Sequence, residues 1–297
     1  MKRPDRMTAL LLLSAAVLMI LEITRPAFTD NPLRNEMIRT VLTRTAGGAL
    51  FFLLIRKNGC RVFGMTKKRR ALVCLLPAAA VAVNNFPLLG LLTGAATVDA
   101  GITDVLLLVL QSASVGLFEE LTFRGFLFPN VLQSFRENSA FLPTVLSSAV
   151  FAAVHLVNLF SGMSPAAVLL QTGYSFLIGG MCAVVLLKTQ CIWFCVILHG
   201  IYNLGGTLVP TLGHGTIWDP VTVTITAVMG IAVLVYMLYV LKNVTESENL
   251  RFFRRCKKTV FFRKTVFFHA VLFYTTVYPA ASSARTASSR RSFFSRM

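Results

Sequence analysis

The chain alternates long apolar stretches with short polar ones. Eight hydrophobic runs stand out, at 8–24, 37–55, 71–92, 105–128, 141–157, 165–187, 191–209 and 220–241. Each falls within the roughly 17–25 residues an α-helix uses to cross a bilayer. The pattern predicts an all-α, polytopic transmembrane helix bundle of about eight spans. The first run follows Lys2, Arg3 and Arg6 with no evident small-residue cleavage site after it, so it reads as an uncleaved signal anchor. The third contains Asn84-Asn85-Phe86-Pro87, which predicts a broken or re-entrant second half. Such backbone is tolerated at membrane depth only where protein covers it.

Composition agrees with a membrane protein. Hydrophobic residues make up 55% of the 297 and charged residues 14%, against about 25% charged in soluble domains. Mean hydropathy is +0.69. The net charge of +17 is concentrated at one end: residues 251–297 hold 11 Lys/Arg and no Asp/Glu. The chain therefore divides into a transmembrane bundle over 1–246 and a basic, Phe/Ser-rich tail over 247–297. In so apolar a chain the partner of a basic tail is anionic membrane lipid rather than nucleic acid. The tail reads as a disordered, dispensable extension, with a membrane-surface segment as the alternative.

Lys/Arg asymmetry sets the orientation. The stretch 56–70 carries Arg56, Lys57, Arg61, Lys67, Lys68, Arg69 and Arg70 and no acid, which predicts a cytoplasmic loop. Alternation from there places Asp99, Asp104 and Asp219 outside, and Arg136, Lys188 and Lys242 inside. Both termini are then cytoplasmic, and the plasma membrane is the expected location. Arg25, Arg34, Arg39 and Arg44 flank the first outer loop and run against the rule. The six cysteines form no CxxC pair. They read as buried packing residues, with neither a disulfide framework nor a zinc site.

Three places break the apolar pattern. A charge near the bilayer centre costs ~2.5–3.5 kcal/mol on insertion scales, so each asks for a reason. In Phe118-Glu119-Glu120-Leu121-Thr122-Phe123-Arg124-Gly125, Glu120 and Arg124 are i,i+4 neighbours able to pair. Glu119 points elsewhere on the helix, left to act as a general base. The plainer alternative is a cluster at a helix end in the headgroup region. His155 lies in Phe151-Ala152-Ala153-Val154-His155, where small neighbours admit a second helix; a buried, hydrogen-bonded histidine would explain it equally. His199 and Asn203 share a helical face within another span. They can bind water or metal and steady an oxyanion, or form an interhelical hydrogen bond. Intramembrane polar groups tend to face one another, so the three together predict one site.

These residues resemble the CAAX-protease and bacteriocin-processing (Abi) family. Its Glu-Glu-x-x-x-Arg, Phe-x-x-x-His and His-x-x-x-Asn motifs stand here at Glu119–Arg124, Phe151–His155 and His199–Asn203, in order and complete, within about 104–205. The resemblance implies a glutamate-dependent intramembrane endopeptidase acting on a membrane-associated or lipidated peptide or protein. Carried over motif by motif, Glu119 activates water, while His155 and His199 polarise it or hold a metal. Asn203 steadies the oxyanion, and Glu120 with Arg124 braces the site. Zinc is the candidate cofactor, with Glu119, His155 and His199 as its three protein ligands. The helical HExxH arrangement of many zinc proteases is absent, which favours metal-free or weakly metal-dependent chemistry. The alternatives are a catalytically silent scaffold, regulator or immunity protein, and, with no evident inverted repeat, a proton-relay transporter. One tension remains in the span limits. They put Glu119 near the inner end of its helix and His155 near the outer end of its own.

Overall fold

A computed structural model describes residues 24–65, 69–134, 140–216 and 218–243. The expected first span, Lys67, Lys68, Arg136, Glu137 and the tail from 247 lie outside the described residues. Helix α1 (Pro32–Lys57) starts at Asn31, whose side chain accepts the amides of Leu33 and Arg34, with Pro32 in its first turn. It ends on Arg56 and Lys57, cations that suit the negative end of a helix dipole. A 3₁₀ turn (Arg69–Cys74) leads into α2 (Leu75–Asn84), and α3 (Leu88–Thr93) closes on the left-handed Gly94. Then come strand β1 (Ala96–Val98) and α4 (Ile102–Glu120). A π-helical stretch, Leu121–Leu127, joins α4 without a break to α5 (Phe128–Ser134). Helix α6 (Phe141–Val154) tightens into a 3₁₀ segment, His155–Ser161. Helix α7 (Pro165–Thr189) turns through Gln190, at φ 58°, into α8 (Ile192–Leu212). Strand β2 (Gly213–Gly215) and α9 (Pro220–Asn243) complete the order.

Among the described residues, six helical segments are long and apolar enough to cross a membrane: Pro32–Lys57, Ile102–Gln133, Phe141–Phe160, Pro165–Thr189, Ile192–Leu212 and Pro220–Asn243. The chain is an integral membrane protein of the all-α kind. Each contains most or all of an expected run. Of the eight expected runs, the first lies outside the described residues and the third is not one span. Its helix stops at Asn84, and Pro87, which has no amide hydrogen to give, follows two residues after the C-cap Asn85. The broken backbone is covered by protein, as the sequence requires. Asn85 Nδ2 donates to the Tyr202 carbonyl at 2.6 Å and Asn84 Nδ2 to Thr226 Oγ1 at 2.9 Å. The one element outside the all-α expectation is small. β1 and β2 pair antiparallel with Thr97 opposite His214, tying the start of α4 to the end of α8.

The misfit between Glu119 and His155 disappears once α4 is seen to run on. The expected span ended at 128; the helical segment continues to Gln133 because the π-helical stretch widens the coil without interrupting it. Glu119 now stands 14 residues before Gln133, and His155 stands 14 residues after Phe141. The two helices therefore carry both groups to one depth, roughly 20 Å from their Gln133 and Phe141 ends at 1.5 Å per residue.

Lipid gives little hydrophobic drive between helices, so close contact rests on small residues. A Cβ at Gly116 on α4 would stand 2.9 Å from the Gly200 amide nitrogen and from the Val196 carbonyl oxygen on α8. Only glycine lets these backbones meet. By contrast α9 exposes Val221, Val228, Ile231, Val235 and Tyr239, the face a spanning helix turns to lipid. Arg34, which seemed misplaced by charge alone, pairs with Asp104 through Nε–Oδ1 at 2.6 Å and Nη2–Oδ2 at 3.1 Å. Cys74, Cys182, Cys191 and Cys195 are free and buried, as read from sequence.

Candidate active site

The Gly116–Gly200 contact lies one turn before the carboxylates on α4 and beside His199 on α8. It brings into reach groups that are 79 residues apart in the chain. His199 Nδ1 lies 2.7 Å from Glu120 Oε1. The carboxylate of Glu120 also faces Arg124, with Nη1–Oε1 at 3.2 Å and both side chains fully buried. A carboxylate held by a guanidinium is an acceptor, so His199 Nδ1–H donates to it. That bond fixes the ring and leaves Nε2 free on the far side. There Nε2 faces Glu119 Oε2 at 3.5 Å. Glu119 thus stands opposite an oriented imidazole, at 2% exposure.

Phe151 supplies the third wall. The Arg124 guanidinium carbon sits 4.1 Å from its ring centroid, a cation–π contact. The rings of His155 and His199 approach it edge-on at 5.1 and 5.8 Å, and Phe123 at 4.9 Å. His155 sits at the C-cap of α6, and its Nδ1–H donates to the Phe151 carbonyl at 2.8 Å. Its ring is buried. Glu119, Glu120, Arg124, His155 and His199 thus all line one buried region. Asn203 lies one turn beyond His199, half-buried, with its side chain outside the hydrogen-bonded group.

The residues do not form a closed zinc site. Among the described residues, the metal-type donor group gathered within 4.8 Å is Glu120, Cys182 and Cys195. The set implied by the resemblance, Glu119, His155 and His199, is instead arranged as a carboxylate and two imidazoles anchored through Nδ1. Cys182 and Cys195 were read only as packing residues; Cys195 Sγ–H donates to the Cys182 carbonyl at 3.2 Å. Sequence reasoning also gave Phe151 no role beyond its motif. The spacing Phe-x-x-x-His, which puts ring and imidazole on one helical face, was the signal available.

A polytopic helix bundle with a buried glutamate–histidine–arginine cluster defines the class: an integral membrane protein with ionisable groups gathered between its helices. Residues 101–205 match the family model described as Type II CAAX prenyl endopeptidase Rce1-like. The matched stretch contains all six candidate residues and nearly coincides with the region of resemblance. Neither the curated proteins nor the solved structures returned a match.

Proposed function

We propose that the protein is an intramembrane endopeptidase of the CAAX-protease type, cutting a peptide bond in a membrane-associated or lipidated peptide or protein. The observation that carries this reading is the relay Arg124–Glu120–His199–Glu119, in which each polar group orients the next. Water placed between Glu119 Oε2 and His199 Nε2 would give its proton to Glu119 as its oxygen bonds to the scissile carbonyl carbon. The carbonyl π electrons move to oxygen. Asn203 Nδ2, after a side-chain swing, is the donor proposed for that side, and donors aimed at a developing oxyanion lower its barrier. His155, whose Nδ1–H is given to the Phe151 carbonyl, offers Nε2 as an acceptor that helps polarise the water. When the tetrahedral intermediate collapses, the C–N bond breaks and the proton on Glu119 passes to the leaving amine. One water is consumed and no net charge is left. Arg124 and Phe151 take no proton; they hold Glu120, and through it the ring of His199.

The test is cleavage of a lipidated and unlipidated peptide library by the purified chain in liposomes, wild type beside Glu119→Gln. Cleavage by wild type alone supports the reading. Equal cleavage by both removes Glu119 as the base. A protein that never cuts, yet keeps its cellular effect as Glu119→Gln, is a scaffold or regulator instead. The plasma membrane and cytoplasmic termini belong to this proposal, supported by the basic 56–70 stretch.

A further inference from the structure

Among the described residues, five buried polar atoms in one part of the bundle have no hydrogen-bond partner: Arg124 Nη1, whose contact with Glu120 is an ion pair and not a hydrogen bond, Arg124 Nη2, Glu120 Oε2, Ser148 Oγ and Thr144 Oγ1. Buried polar groups are almost always partnered, by protein or by ordered water. One orphan could be local strain; five in neighbouring positions point to a shared ligand. They share surroundings. A Cβ at Gly179 on α7 would stand 2.7 Å from Arg124 Nη2, 3.2 Å from the Phe151 ring and 3.3 Å from Ser148 Cα. One at Gly180 would stand 3.6 Å from Ser148 Oγ. These two glycines keep α7 from covering the guanidinium and the hydroxyl with a side chain. On α6 the hydroxyls continue toward the start of the helix. Thr144, Ser147 and Ser148 are each at most 2% exposed, and Thr144 is three residues from Phe141, about 5 Å along the axis.

The chemistry selects the ligand. Arg124 donates, Glu120 accepts, and the hydroxyls do both. A buried water needs two to four such partners. The Arg124–Glu120 pair is already neutral as a unit and Ser148 and Thr144 add no charge, so neither a cation nor an anion is called for. We propose that Arg124, Glu120, Ser148 and Thr144 line an internal water site that leads from the Phe141 end of α6 to the Glu119–His199 pair. Resting on the peptidase reading, the site supplies the water consumed there. It also gives that water a route, since Glu119 and Glu120 are closed to solvent at 2% and 0% exposure.

The experiment is radiolytic hydroxyl labelling of the full chain in lipid nanodiscs, read by mass spectrometry at Phe151. Phe128, equally buried at 0% against 1%, is the reference. Water beside Phe151 makes it label severalfold above Phe128, and Thr144→Val with Ser148→Ala brings it down toward Phe128. The same pair of changes lowers kcat with KM unchanged. Phe151 labelling no higher than Phe128 in the wild-type chain overturns the proposal, and that comparison needs no variant to fold. High wild-type labelling in a chain that cuts no peptide keeps the water site and counts against the peptidase reading instead.

Discussion

His199 donates from Nδ1 to Glu120 Oε1 at 2.7 Å, across 79 residues of sequence, while its other nitrogen faces Glu119 at 3.5 Å. One imidazole thus meets two adjacent carboxylates through different nitrogens. Under the proposed function these contacts divide the work: Glu120, held by His199 and Arg124, is structural, and Glu119 is the base. Glutamates next to each other on a helix point about 100° apart, so the division begins with their placement on α4 and is completed by α8.

That division predicts opposite signatures for the two carboxylates. Glu119→Gln should abolish cleavage, a loss on the order of 10²–10⁴-fold for a removed general base, with little change in Tm. Glu120→Ala leaves the Arg124 guanidinium buried without its anion, and breaking a buried pair costs ~3–5 kcal/mol. It should lower Tm strongly. Thermal unfolding in detergent beside peptide cleavage separates them; equal Tm losses would count against distinct roles.

Gly116→Val places a side chain where the Gly200 amide already stands. The helices must part, and His199 moves away from both carboxylates. Misplacement of about 1 Å can cost on the order of 10²-fold in rate, so cleavage should fall far more than expression or insertion. Gly173→Val is the control, because a Cβ there meets nothing within 4 Å.

Phe151→Leu keeps an apolar residue of similar bulk but removes the ring under Arg124. A desolvated cation–π contact is worth up to about 2 kcal/mol. We expect a Tm decrease of that order and a lower kcat. In a double-mutant cycle with Arg124→Met the two losses should be clearly non-additive. Additive losses would mean that Phe151 acts by packing alone.

Asp219 lies just before α9, outside the spanning segment, and accepts from the Thr222 hydroxyl and from the amides of Thr222 and Val221. These bonds, the hydroxyl's foremost, hold its carboxyl below the usual carboxylate range. Its cap is therefore intact above the ordinary aspartate pKa and is lost as pH falls through the lowered value. The protection of the Val221 and Thr222 amides, their exchange relative to the intrinsic rate at each pH, should hold from pH 7 and fall only at the acid end near pH 3. In Asp219→Ala protection should be low throughout.

Much of this was legible before any coordinates. Apolar run lengths placed the spanning helices, because the bilayer imposes one length on them all. The motif spacing named Glu119, Glu120, Arg124, His155 and His199, because unpaired polar groups at membrane depth must find one another. What sequence missed has a physical cause in each case. The π-helical stretch after Glu120 leaves no mark in hydropathy, so α4 seemed to end early and His155 seemed too far away. The roles of Gly116, Gly179 and Gly200 depend on what faces them from another helix. Asn203 sits at the expected i,i+4 spacing, yet its side chain is outside the cluster, since a shared face does not fix a rotamer.

The equal arms of the two helices also work as a ruler. Glu119 stands 14 residues before Gln133 and His155 14 residues after Phe141, roughly 20 Å from those helix ends. A substrate segment coming from that surface covers the distance in about six residues if extended, at 3.3 Å per residue, and in about fourteen if helical. Cleavage position measured from the membrane surface would thus be counted in residues, and the count would report whether the substrate enters stretched or coiled.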